Sequence, residues 1–108
     1  MPHDPHLAEQ MRLALRPRAG IVEKKMFGGY CWMLHGNMLC GVEVGRYMFR
    51  VGKEQESLAL SRPGARPMDI TGRPMTGFVW VDASEARGDK LGEWIDIAAR
   101  HVAALAPK

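Results

Sequence analysis

The feature that most constrains this chain is the stretch from Ile21 to Val51, where the hydrophobic pattern has a period of two and is broken three times by a short glycine-containing pair. A period of two sends alternate side chains to opposite faces of a strand. The segments Ile21 to Phe27, Tyr30 to His35, Met38 to Val44 and Tyr47 to Val51 therefore read as four strands, separated by Gly28-Gly29, Gly36-Asn37 and Gly45-Arg46. Breaks this short, each with a residue free to take positive φ, are hairpin connections. The strands are predicted to form an antiparallel meander.

Two-residue loops would set the register. Met33 then faces Cys40, Cys31 faces Val42, and Val42 faces Phe49. One face collects Cys31, Met33, Met38, Cys40, Val42 and Val44, then Tyr47, Phe49 and Val51 on the fourth strand. It is almost wholly apolar and is expected beneath the helices. The other face collects Tyr30, Trp32, Leu34, Leu39, Gly41, Glu43, Met48 and Arg50. In a two-layer fold it has no helical cover, and uncovered apolar area usually marks a contact surface. Tyr30, Trp32, Leu39, Met48 and Arg50 are thus the expected interface, for a protein partner or a second copy of the chain. A slip of one residue would exchange the two faces.

The flanking segments change period. Asp4 before Pro5 reads as a helix cap with proline at the first helical position, and Leu7, Met11, Ala14 and Leu15 follow at helical spacing. Lys53 to Ser61 reads as a short helix, Pro67 to Ile70 and Phe78 to Val81 as two further strands. Leu91, Trp94, Ile95, Ala98, Val102 and Leu105 mark a last helix, capped by Asp89 or begun earlier at Ser84. The expected order is α-β-β-β-β-α-β-β-α, a two-layer α+β domain with an antiparallel sheet packed against helices.

A chain of 108 residues with 46% hydrophobic and 25% charged residues suits one globular domain, 1–108. No apolar run is long enough to span a bilayer, so no membrane role is expected. The N-terminus lacks a basic segment followed by an apolar one, so the expected compartment is the cytoplasm. The net charge is +3, but the bases are dispersed among acids, whereas duplex binders concentrate charge on one face. DNA binding is only weakly signalled.

Motifs for chemistry are missing. Cys31 and Cys40, the only cysteines, fall on diagonal positions about 7 Å apart in the expected register, beyond disulfide reach, and read as buried thiols. His3, His6, His35 and His101 show no paired spacing for zinc. Gly52-Lys53 is followed by Glu54, which breaks the phosphate-loop pattern. No serine, histidine and aspartate fall in a nucleophile arrangement, so no enzyme, metal or cofactor is expected. One basic region, Arg62 to Pro67 followed by Arg73 to Gly77, holds arginines between prolines and glycines. It makes Arg66 and Arg73 candidate anion contacts.

Several short runs together resemble a known family. Lys25-Met26-Phe27-Gly28-Gly29-Tyr30, Leu34-His35-Gly36-Asn37-Met38 and Met48-Phe49-Arg50-Val51-Gly52 are similar to the TfoX N-terminal domain of the TfoX/Sxy competence regulators. Met68-Asp69-Ile70-Thr71-Gly72-Arg73-Pro74-Met75-Thr76-Gly77-Phe78-Val79, and a last helix with Leu91 and Trp94, resemble its small standalone members. The resemblance implies an α+β fold like that of secretion chaperones. It also implies a regulatory role without catalytic residues. Full-length members carry a helical second domain and act as transcriptional coactivators. This chain ends at Lys108, so half of that architecture is expected to be absent. Among the matching positions, Lys25, Arg50 and Arg73 carry charge suited to a contact.

Two functions follow as expectations. The first is a non-enzymatic regulatory or adaptor domain that binds another protein. The second is a nucleic-acid-associated module using its dispersed arginines and lysines.

Overall fold

The computed structural model describes residues 5–26, 29–70 and 72–108. It holds helix α1 (Pro5–Leu15), strands β1 (Ile21–Met26), β2 (Gly29–Leu34), β3 (Asn37–Glu43) and β4 (Arg46–Arg50), and short helix α2 (Glu56–Leu60). Strands β5 (Ala65–Ile70) and β6 (Arg73–Asp82), a single 3-10 turn (Ala83–Glu85) and helix α3 (Asp89–Val102) follow. This is the expected α+β order. Pro5 opens α1, while the proposed cap Asp4 lies outside the described residues. Gly88, not Asp89, takes the cap position of α3, and Asp89 becomes its first helical residue.

The six strands form one antiparallel sheet in the order β1-β2-β3-β4-β6-β5. The β5–β6 hairpin joins the meander through β6, which runs beside β4 from Phe78 to Asp82. β6 is much longer than the run of four residues expected for it. Arg73 and Pro74 pair back on Ile70 and Asp69 of β5, and Met75 to Gly77 continue the strand through an irregularity in the register.

Helices α1 and α3 pack on one face. The Phe49 ring stacks on Trp94 of α3, with centroids 5.5 Å apart and planes 18° from parallel. Such a pair adds about 0.5–1.5 kcal/mol beyond the apolar area it buries. Cys40 Sγ lies 3.7 Å from Met11 Sδ of α1. Strand alternation then assigns Tyr47 and Phe49, Cys40 and Val42, and Val79 and Val81 to the helical side, where they join one buried cluster. Ala59 brings α2 into the same cluster.

From Cys40 onward the third and fourth strands face as expected, but Met38, expected in the core, lines the open face, Leu39, expected on the open face, is in the core, and β2 is reversed. The β2–β3 turn is His35-Gly36, with φ of 53° and 85°, not Gly36-Asn37. Histidine is among the few side chains that tolerate the left-handed region. Leu34 therefore pairs with Asn37 and Met33 with Met38. A bulge follows: Trp32 pairs with Cys40 and Leu39 is the extra residue. The net change is odd, so β2 turns over. Tyr30, Trp32 and Leu34 go to the helical side, and Cys31 and Met33 to the other. Val44 was expected in the core. It sits instead in the β3–β4 turn and is 59% exposed.

The tail after α3 returns to the His35-Gly36 turn. Lys108 N–H donates to the His35 carbonyl (2.9 Å), and Asn37 Nδ2 donates to the Ala106 carbonyl (2.9 Å). That bond satisfies the one buried polar side chain among the described residues, as burial requires. Among the described residues no helix is long and apolar enough to cross a membrane.

Candidate binding cavity on the open sheet face

The described helices leave the second face of the sheet uncovered, and that face holds a cavity of about 490 Å³. Its floor is β3 and β4. Gly41 pairs with Met48, and the neighbouring side chains close over the glycine where a side chain would otherwise stand. A Cβ added to Gly41 would lie 3.3 Å from Met48 Cε and 3.4 Å from Cys31 Sγ. Glycine inside a strand weakens pairing and often marks close approach of another group. The walls come from the two hairpins on either side: Cys31 and Met38 on one, Met68, Met75, Phe78 and Trp80 on the other. Cys31, Met48 and Met68 are buried, so the deep part of the cavity presents sulfur and carbon.

Charged groups stand at the mouth. The Arg46 guanidinium lies 3.7 Å from the Trp80 ring centroid and donates from Nε to Glu43 Oε1 at 2.8 Å. A cation held over an aromatic face at this distance is attracted by the ring quadrupole. Beside it, Arg50 lies over Phe78, with Cζ 5.6 Å from the centroid. Asp69, also at the mouth, is exposed.

The residues expected at an interface separate into two groups. Met48 is in the cavity floor, and Arg50 is half-buried on the same face. Trp32 is 2% exposed and Leu39 is completely buried, both on the helical side. The placement of these two on an open surface is therefore corrected, the cause being the bulge and the His35-Gly36 turn. Tyr30 is half-buried and packs against that same core, with Arg12 Cζ 5.1 Å from its ring. The expected anion contacts occupy different strands. Lys25 is exposed on outer strand β1, and Arg66 on outer strand β5 is 3.2 Å from Asp82. Arg73 opens β6, opposite Ile70.

Cys31 and Cys40 are free thiols on opposite faces of the sheet, not diagonal neighbours on one. Burial pushes both thiols up from the ordinary cysteine range, Cys40 far more than Cys31. A thiol so raised stays protonated at neutral pH and is a poor nucleophile. Among the described residues no three of His, Cys, Asp and Glu gather as a metal site would require.

Sequence reasoning missed Met68, Met75, Phe78, Trp80 and Arg46 as members of one site. Phe78 and Trp80 alternate with Val79 and Val81, a visible strand signal. Their meeting with Arg50 and Arg46 depends on β6 pairing with β4 across two hairpins. A family model described as the TfoX N-terminal domain matches residues 14–103. No curated protein and no solved structure matches the chain.

Proposed function

The chain belongs to the TfoX N-terminal domain family, and from that premise we propose that it is a regulatory domain that works by binding another protein rather than by turnover. The observation that carries this reading is the half-buried rim of Arg46, Arg50, Phe78 and Trp80 on a sheet face free of the described helices. Aromatic and arginine side chains are enriched at protein interfaces, the rings because they offer large rigid contact area and arginine because its planar guanidinium stacks on rings and donates several hydrogen bonds. A link to transcription or competence is the finer reading that the family suggests.

The nucleic-acid alternative has less support. Arg12, Arg18, Arg46, Arg62 and Arg66 are each engaged by a carboxylate of the same chain, which leaves them less charge for phosphates. Binding to mixed duplex DNA that falls steeply with added salt would favour that alternative.

The test is capture from the source cells with wild type and with an Arg50→Glu, Phe78→Ser variant. A protein retained by wild type and depleted at least tenfold by the folded variant supports the reading. Identical sets of captured proteins would remove it.

A further inference from the structure

We propose that the cavity between the hairpins is a binding site for a small, uncharged aromatic molecule. This goes beyond the protein-contact reading and does not need it. The protein contact rests on the rim, whose Arg46, Phe78 and Trp80 also line the cavity, and this site rests on the sulfur-lined interior beneath them.

Three observations converge. First, a volume of about 490 Å³ lies within the span of small-molecule sites. Second, Gly41 lets Cys31 and Met48 pack down onto the floor, because a larger residue would have to push these lining groups toward the cavity. Any side chain there would reach Cys31 Sγ, Met48 Cε and the Tyr30 carbonyl, all within 3.4 Å of its first carbon. Third, the lining is sulfur-rich. Cys31, Met38, Met48, Met68 and Met75 contribute from β2, β3, β4, β5 and β6. Thioethers are polarizable and flexible, and they make favourable contacts with aromatic ring edges. Such a lining adapts to a flat ring system without requiring one fixed shape.

The charges select against an ionic ligand. Arg46 is held by Glu43 and by the Trp80 face, so it does not stand as an unpaired cation over the cavity. A ligand charge carried into the buried sulfur-lined part would lose its water and meet no partner there. Hydrophobic burial and sulfur–ring contact would hold an uncharged one.

The experiment uses the whole chain and the uncharged fluorophore N-phenyl-1-naphthylamine. Expected is saturable one-to-one binding with a rise in emission. In a sample carrying ¹³C-methyl methionine, the signals of Met38, Met48, Met68 and Met75 should shift, and that of Met11, buried on the helical side, should not. Filling the cavity with Met38→Trp or Met75→Trp should weaken binding at least tenfold. Leu13→Ser, exposed on α1 and away from the cavity, should bind as wild type does. Lack of saturable binding by wild type, shifts centred on Met11, or equal affinity in the filled variants would each overturn the proposal. Should a filled variant not fold, the methyl shifts of the wild type decide the matter. Failure here with a partner still lost on rim substitution would leave the protein-contact reading standing.

Discussion

Trp32 and Glu23 are cross-strand partners, and the indole Nε1 of one donates to Oε1 of the other at 3.2 Å. The same carboxylate accepts from Arg12 of α1 at 2.7 and 3.0 Å. One acidic side chain on an outer strand thereby joins the sheet to a helix and satisfies a tryptophan that is otherwise enclosed by carbon. Replacing Glu23 with alanine leaves the buried indole N–H without its acceptor. The expected cost is about 1–3 kcal/mol, read from urea unfolding. Glu23→Gln should cost less, because an amide oxygen still accepts from the indole.

The same contact sets a pH dependence. The Arg12 hydrogen bond, helped by that guanidinium's charge and by Trp32, holds the Glu23 carboxyl below the ordinary glutamate range against the opposing effect of burial. A lowered folded value means that the contribution is fully present above the unfolded value of about 4.3 and is lost as pH falls through the folded one. The stability gap between wild type and Glu23→Gln should stay constant from neutral pH down to mildly acidic pH, then close below it. A gap that widens in acid would contradict the assignment.

Gly52 shows a different constraint. Its φ is +83°, and a Cβ built there would run into the His101 ring of α3. Gly52→Ala is expected to cost more than the roughly 1–2 kcal/mol of a left-handed non-glycine residue, since the imidazole must also move. Adding His101→Ala should recover part of that loss. A double-mutant cycle by denaturation would read the coupling. Strict additivity would show that the ring is not the obstacle.

The two thiols should differ in order of reaction. Cys40 is completely buried against α1, whereas Cys31 is 8% exposed and lines the cavity. Native protein at neutral pH should resist iodoacetamide at both positions. Raising the pH should modify Cys31 first, with Cys40 reacting only on unfolding. Peptide mass analysis over time checks the order. Early modification of Cys40 would mean that α1 opens readily.

The alternation and glycine breaks of residues 21 to 51, and the helical spacing at either end, determined the element order and the antiparallel meander. These signals are local: a strand declares its period within a few residues, and a helix within two turns. The assignment of Phe49 and Cys40 to one side, and of Gly41 and Met48 to the other, was legible for the same reason. What only tertiary structure decided was how β2 sits against β3. His35 competes with Asn37 for a turn position, and Leu39 is drawn into the core. One bulge residue is enough to send Trp32 inward and Cys31 outward. The cavity was beyond the sequence on still firmer grounds. It forms where β6 closes on β4 and two hairpins flank a glycine, and no local pattern encodes an encounter between segments so far apart in the chain.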